Sequence, residues 1–471
     1  MSSPVDPTVF PKAMDEMPKI MNEATAAEQL RPLAASFTIL KNPPYVFPPY
    51  EICPLAPAST ILEEGMEAAV MDMDGTTTTT EALCIESLAT MVSCMCGKGK
   101  VGAFSILSPE RDYPHIIGNS TTLHVKYLVT TYGGDISAEG FCRHFIRAAA
   151  WNISCGIDPL RAEETRTSLI TQGLGELSAC EDFQQLGHAM THSDNATIET
   201  LLDTLTSRWQ PRLVMNTLSD LVRIGIEIYY QHYHELLKQF DKNDADHETS
   251  QELIKPMPGI GIALAMMKGL LGEETGKLSD RIRALLPESA STDPTEIQRG
   301  LACLLPLGRY FQKHPVKLAL VTSSIAAEAK IVLKEVFQVI RREIKEWEVS
   351  EALRESLHHT FADPATFYDA RITADDSSEI RLKPHRDLYS IALHTLGIPP
   401  DRFHRVAGFE DSESGVTAIR TAGISLSCAV PFAMTADHGF DAATVVCTGG
   451  MPEVILKKRF FLPEKRFLAP E

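Results

Sequence analysis

The sequence lacks the features that would place the chain in a membrane, outside a cell or around a cysteine-bound metal. Its apolar runs are short and interrupted by charge, so no membrane-spanning helix and no membrane partner are expected. Residues 1–10 contain no basic region followed by an apolar stretch, and this predicts no signal peptide. The ten cysteines include no C-x-x-C pair, which argues against a zinc cage and against a disulfide framework. We therefore expect reduced thiols and a cytoplasmic location.

Positive charge is also scarce. The 44 Lys and Arg residues face 62 Asp and Glu residues, for a formal net charge of -18. Affinity for DNA or RNA depends on clustered cations that release counterions, so nucleic acid is not an expected partner. An anionic ligand must be attracted by local cations or by a bound metal, since the overall field repels it. The length of 471 residues exceeds one ordinary core and predicts two or three structural units.

Short apolar runs, separated by polar loops, predict the strands of a buried parallel sheet. Helical patterns at Asp387–Leu396 and Ser414–Ala422 lie between the later runs. Strands and helices in alternation are typical of an α/β fold with a doubly wound sheet. The predicted strands are Ala68–Met71, Lys317–Val321, His404–Ala407, Leu426–Val430 and Ala443–Cys447.

The segment between the first two predicted strands has little strand character and much helical periodicity. We interpret 81–254 as a helical domain inserted into the core, followed by a smaller insertion at about 265–312. The α/β core then comprises 64–80 and 255–471. Residues 1–63 form a Pro-rich N-terminal extension whose aromatic residues predict that it lies on a folded surface. Helices are predicted at Ala138–Ala150, Asp182–His192, Thr197–Ser207 and Arg212–Phe240.

Two aspartates follow the first predicted strand. Asp72 and Asp74 are two residues apart in an extended segment, so their side chains point the same way. They lie at the carboxyl end of the strand, where open α/β sheets bind ligands. Two carboxylates there could hold a cation, and one could attack phosphorus to give an aspartyl-phosphate. Gly75 would let the chain turn sharply beside the ligand.

Complementary groups follow the other predicted strands. Thr322 lies at a strand-to-helix junction, where hydroxyl and backbone N–H groups suit a phosphate. Lys383 precedes Pro384 at the start of a helix and could contact a phosphoryl oxygen. Glu410 and Asp411 are paired acids of the kind that suits Mg²⁺. Each feature is common alone, but their shared position at successive strand ends favours one site.

Together these segments resemble the motifs of the haloacid dehalogenase superfamily. D-x-D-G-T stands at Asp72–Thr76, a strand ends at Thr322, and Lys-Pro stands at Lys383-Pro384. E-D-S-x-x-G stands at Glu410–Gly415. The wording K-P-x-x-D-x-Y with E-D-S-x-x-G is similar to the branch of β-phosphoglucomutase, phosphoglycolate phosphatase and phosphonatase. The resemblance implies a Rossmann-like core with an inserted cap domain.

The resemblance also implies a role for each motif residue. Asp72 would be the nucleophile and a Mg²⁺ ligand. Asp74 would be the general acid and base, and its backbone carbonyl would bind the metal. Thr322 and Lys383 would hold the transferring phosphoryl group.

Glu410 and Asp411 would complete the metal site. The cation is needed because an anionic carboxylate must approach an anionic phosphate. The resemblance covers about 64–80 and 313–450. The sequence departs from the family pattern at Thr77–Glu81, where an aliphatic pair and an Asp or Asn are usual. The cap is also longer than is usual in this branch, which indicates a different substrate or a role in assembly.

The acid at Asp74 favours a phosphomonoester as the substrate. Dehalogenases of the family lack an acid two residues after the nucleophile, and phosphonatase has a small residue at that position. A phosphatase acting on a small phosphorylated metabolite is the favoured hypothesis, because Ala82–Cys84 lacks the His that mutases often carry. A phosphosugar mutase stays open, as do a non-catalytic binding module and, more weakly, a Ca²⁺-binding structural protein. The apolar face of Arg212–Phe240 suits a homo-oligomer as well as the cap interior.

Overall fold

The computed structural model of the protein describes residues 22–42, 46–98, 106–116, 121–242, 253–290, 293–377, 381–432, 435 and 438–468. Its strands are β1 Phe37–Lys41, β2 Tyr50–Pro54, β3 Ala68–Asp72, β4 Thr78–Thr79, β5 Lys255–Pro256, β6 Lys317–Val321, β7 Ala370–Ile372, β8 Val406–Glu410, β9 Leu426–Ala429 and β10 Val445–Val446.

The α-helices are α1 Glu23–Leu30, α2 Glu81–Met95, α3 Pro109–Ile116, α4 Thr121–Thr131, α5 Ala138–Ser154, α6 Pro159–Thr171, α7 Glu181–Thr191, α8 Asn195–Trp209, α9 Leu218–Lys242, α10 Ile260–Met267, α11 Ser279–Ala284, α12 Pro294–Lys313, α13 Ala326–Lys345, α14 Glu351–Thr360, α15 Pro364–Phe367, α16 Asp387–Thr395, α17 Glu413–Thr421 and α18 Gly450–Leu456. None of the helices in the described ranges is long and apolar enough to cross a membrane.

A six-stranded sheet forms the centre of the core. Its order is β10-β9-β8-β3-β6-β7, and every pair is parallel. From β3 the chain adds β6 and β7 on one side and then crosses to add β8, β9 and β10 on the other. The strand order therefore reverses at β3, and a crevice opens at the carboxyl ends of β3 and its two neighbours.

Both faces of this sheet are covered. Successive side chains on a strand point to opposite faces. Val70 packs in one apolar cluster with Leu388 of α16 and Ile419 of α17. Met71 packs in a second cluster that includes residues of α10, α12, α13 and α18. These two covered faces, with the large helical insertion, confirm the predicted α/β doubly wound fold.

The helical insertion leaves the core through β4 and returns through β5. These two short strands pair antiparallel, with Thr78 opposite Pro256 and Thr79 opposite Lys255. Helices α2 to α9 lie between them, and α9 contacts α2, α4, α5 and α6. Helix α9 also contacts α13 of the core. The insertion is therefore joined at its base, directly beside the Asp72 segment.

Several predicted elements differ from those observed. The strand predicted at His404–Ala407 begins at Val406, because Pro400–Arg405 forms a 3-10 turn after two prolines. Strand β7 was not predicted, since a three-residue edge strand gives almost no periodicity. Helix α9 begins at Leu218 instead of Arg212, because Thr217 and Asp220 cap it there: Thr217 Oγ1 accepts the backbone N–H of Asp220 at 3.2 Å, and the Asp220 carboxylate accepts that of Thr217 at 2.9 Å.

The N-terminal extension contains a hairpin, β1 with β2, that the sequence did not predict. Asn42 accepts a hydrogen bond from His385 Nε2 at 3.1 Å, and the buried Arg420 donates to the carbonyl of Ala56. The extension thus lies on the core, as expected. Two of its aromatic residues, Phe47 and Tyr50, are exposed and so do not explain this placement. Phe37 is half-buried, and Tyr45 lies outside the described residues. Residues 1–21 and 43–45 lie outside the described residues.

Candidate active site

Asp72 is the last residue of β3, whose five residues are all buried. The turn after it is fixed locally: Thr77 Oγ1 donates to the Asp72 carbonyl at 2.6 Å. Gly75 has a φ of +82°, and a Cβ there would collide with the carboxylate of Asp411. Glycine is therefore needed at this position for two reasons: it adopts a positive φ, and it leaves room for the carboxylate of Asp411.

Lys383 joins the ends of the three central strands. Its ammonium contacts Asp72 Oδ1 and lies 2.6 Å from Glu410 Oε1. It also donates to the Val321 carbonyl, at the end of β6, at 3.2 Å. Burial alone would lower the pKa of Lys383, but Asp72 and Glu410 outweigh it and raise the pKa. Lys383 is therefore a fixed cation at the carboxyl end of the sheet.

Three buried carboxylates form a cluster around this cation. Ligand atoms of Asp72, Glu410 and Asp411 lie within 4.8 Å of one another. Burial and the nearby Glu410 raise the pKa of Asp72, and burial with Glu410 and Asp72 raises that of Asp411. One ammonium does not balance three carboxylates, so the donor set fits a hard divalent cation such as Mg²⁺.

Glu410 is held in place on both oxygens. Tyr389 donates to Oε1 at 2.8 Å and Ser412 donates to Oε2 at 3.0 Å. A Cβ on Gly415 would overlap this carboxylate, which explains the glycine of E-D-S-x-x-G. The last residue of β8 is therefore oriented by groups from α16 and from the turn into α17.

The side chain of Asp74 faces hydroxyl groups and is not part of the carboxylate cluster. It accepts hydrogen bonds from Thr80, from Thr322 Oγ1 at 3.3 Å and from Ser324 Oγ at 3.2 Å. Burial raises the pKa of Asp74 although these hydrogen bonds favour its ionised form. A carboxyl group in this position can be tuned to give and accept a proton.

The structure thus brings all six predicted site residues to one edge of the sheet. Asp72, Lys383, Glu410 and Asp411 share contacts, and Asp74 lies beside them with the hydroxyl of Thr322 against it. The catalytic and metal roles implied by the resemblance stay predictions.

A cavity of about 710 Å³ lies between this edge and the helical insertion. Asp72, Asp74, Lys383, Glu410 and Asp411 line its base. The opposite wall is formed by α2, α3, α4 and α9 of the insertion. A volume of this size suits a small metabolite.

No protein-family model matches the sequence, and neither does any curated protein. Among solved structures, CbbY from Rhodobacter sphaeroides in complex with phosphate is 14% identical, with a TM-score of 0.36, over 83% of this chain and 96% of that chain. The β-phosphoglucomutase of Clostridium difficile is 11% identical, with a TM-score of 0.32, over 82% and 92%. A chain from Haemophilus somnus 129pt, predicted to be a phosphoglycolate phosphatase, is 9% identical, with a TM-score of 0.34, over 84% and 98%.

The fold expected from the resemblance is confirmed. Because all three TM-scores are below 0.5, the fold assignment rests on the parallel strand order and on the four motifs at the strand ends.

The sequence did not predict several of the residues that line the cavity. Tyr229, Tyr230 and Tyr233 of α9 form one wall of the cavity. Their spacing predicts one helix face but does not show what that face contacts. Four cationic residues of the insertion do not line the cavity: Lys98, Lys126, Arg143 and Arg147. Lys100 lies outside the described residues.

Proposed function

We propose that the protein is a Mg²⁺-dependent phosphatase that hydrolyses a small phosphomonoester through an aspartyl-phosphate on Asp72. The observation that carries this proposal is the placement of Asp72. Its buried carboxylate lies at the reversal point of a parallel sheet, beside the Lys383 ammonium and two further carboxylates, at the base of a cavity. Anionic nucleophile, fixed cation and metal ligands are what phosphoryl transfer to a carboxylate requires.

The first step breaks the ester bond. An oxygen of Asp72 attacks phosphorus, the bond from phosphorus to the alcohol oxygen breaks, and Asp74 protonates that oxygen. In the second step water attacks the phosphorus of the aspartyl-phosphate while Asp74 accepts its proton. Inorganic phosphate leaves and the Asp72 carboxylate is restored. The three hydroxyls around Asp74 hold its carboxyl group in place between the two steps.

Lys383 and the carboxylate cluster supply the electrostatics. The ammonium of Lys383, held beside Asp72, would contact the phosphoryl oxygens of the bound substrate. Asp72, Glu410, Asp411 and the backbone carbonyl of Asp74 would hold Mg²⁺, which when bound neutralises the charge of the phosphate and of its nucleophile.

The test is release of phosphate from 4-nitrophenyl phosphate and a panel of metabolite phosphates, with and without Mg²⁺. We expect Mg²⁺-dependent release, and a loss of about 10³-fold or more in kcat for Asp72→Asn. Asp203→Asn, an exposed aspartate of α8, is the matched control and should keep full activity. Release that Asp72→Asn leaves intact would refute the proposal. A phosphorylated product that retains the substrate's label, with no free phosphate, would support a mutase instead.

A further inference from the structure

The two ends of the cavity differ in charge. Lys383 at the base is the one Lys or Arg among the described residues that line it. Two more carboxyl groups line the cavity, Glu81 from α2 and Glu328 from α13. Burial raises the pKa of Glu81 to about 8, so this group is largely protonated at pH 7. Glu328 accepts a hydrogen bond from His234 Nε2 at 2.7 Å, which fixes its position. Among the described lining residues, a second anionic group on a ligand would therefore meet no ammonium or guanidinium beyond that of Lys383.

Two arginines of the insertion are engaged elsewhere. The guanidinium of Arg161 lies over the Tyr230 ring, 3.9 Å from its centroid, and pairs with Glu164 at 2.8 Å. Arg143 pairs with Glu199 at 2.6 Å on the insertion's surface. Neither of these two arginines lines the cavity.

The remaining lining on the side of the insertion is amphipathic and consists of tyrosines, threonines, Cys84, His124 and apolar side chains. Tyr229 and Tyr233 stack with their ring centroids 5.7 Å apart, and Tyr230 is edge-on to Tyr229 at 5.1 Å. Thr121 and Thr122 of α4 add hydroxyl groups to the wall. Aromatic rings with hydroxyl groups bind neutral groups that are partly apolar and partly hydroxylated.

We propose that the alcohol part of the substrate is neutral and binds between the tyrosines of α9 and the threonines of α4. This inference rests on the proposed phosphatase function and specifies its substrate class: monophosphates of neutral alcohols, to the exclusion of bisphosphates and of phosphorylated acids. A ligand carboxylate there would lie near Glu328 and, among the described lining residues, would have no Lys or Arg other than Lys383 to pair with.

The test compares two esters that differ in one charge, 4-carbamoylbenzyl phosphate and 4-carboxybenzyl phosphate. The amide and the carboxylate are nearly the same size, so the ratio of their kcat/KM values reports the loss of the negative charge together with the gain of an N–H donor. We expect the amide to be hydrolysed with a kcat/KM about tenfold higher or more. Equal values, or a preference for the carboxylate, would overturn the inference while phosphatase activity stands. Absence of phosphate release from every ester, 4-nitrophenyl phosphate included, would overturn the proposed function and this inference with it.

Two lysine variants test whether the cavity wall at α4 sets the preference for the uncharged ester. Thr122→Lys places a cation on the cavity wall and should reduce the preference for the amide about fivefold, by raising kcat/KM for the carboxylate. Thr130→Lys is the matched control on the same helix, exposed and not part of the lining, and should leave the ratio unchanged. The same change in both variants would show that net charge, and not the cavity wall, sets the preference, and would overturn the inference.

Discussion

Asp72, Glu410 and Asp411 are held close together by the fold whether or not a cation lies between them. Their crowding lowers the stability of the folded state, because each carboxylate is buried beside another and Lys383 is the one cation among the described residues that contacts them. In the proposed Mg²⁺ site, a cation that binds only the folded state would remove this repulsion and add its own binding free energy. The repulsion would then lower the stability of the metal-free protein and raise its affinity for the metal.

Removing one carboxylate should stabilise the metal-free protein and weaken its binding of Mg²⁺. In the metal-free protein we expect Asp411→Asn to raise Tm by about 2 °C or more, because repulsion around Glu410 falls. We also expect the variant to lose most of the rise in Tm that excess Mg²⁺ gives the wild type. Calorimetry with and without Mg²⁺ measures both effects, and Asp203→Asn should match the wild type. A metal-free Asp411→Asn protein that melts lower would contradict this account.

At the scale of elements, Asp112 joins α3 to the segment that follows α4. Its fully buried carboxylate accepts hydrogen bonds from Arg111 Nε at 2.9 Å, from Tyr127 at 2.9 Å and from Tyr132 at 2.7 Å. The backbone N–H of Ser108 adds a fourth at 2.8 Å. Burial alone would raise the pKa of Asp112, but the bonds from Arg111 and Tyr132 outweigh it and lower the pKa.

The lowered pKa has a definite consequence for stability. An ionised carboxylate that the folded state prefers stabilises fully above the unfolded-state pKa of about 3.9, and that contribution is lost as pH falls through the folded-state pKa. We expect Asp112→Asn to lower the free energy of unfolding by about 1–3 kcal/mol at pH 7, and by less as the pH drops below about 4. Urea unfolding at several pH values measures this. The exposed Asp135→Asn is the control, and a difference that grows in acid would contradict the prediction.

At the scale of the whole molecule, the net charge of -18 repels an anionic substrate before it reaches Lys383. Salt screens that field, since the Debye length falls from about 30 Å at 0.01 M to about 8 Å at 0.15 M. At saturating Mg²⁺ we expect kcat/KM for 4-nitrophenyl phosphate to rise about two- to fivefold over this range of KCl. A decrease would mean that the local field of Lys383, and not the net charge, controls the encounter.

The sequence alone was sufficient for the fold class and for which residues meet at the site. Apolar runs that end in polar groups identify parallel strands, and parallel strands bring their carboxyl ends to one edge. Asp72, Thr322 and Glu410 were therefore predictable as neighbours although more than 300 residues separate the first from the last. Lys383 follows the unpredicted β7, so the resemblance to the family motifs placed it with them. Each motif is recognised from a local pattern, and the parallel sheet then brings the ends of its strands together.

Only the tertiary structure decided the rest of the cavity. Periodicity shows that α9 has an apolar face, but the same face would suit a core, a partner chain or a ligand. The packing of α9 on α2 and α4 turns Tyr229, Tyr230 and Tyr233 toward the cavity. The same holds for Asp74, whose carboxyl group is turned by Thr80 and Ser324 away from the carboxylate cluster. The orientation of a helix or strand toward its neighbours depends on contacts between residues that are distant in sequence. A local sequence pattern does not predict these contacts.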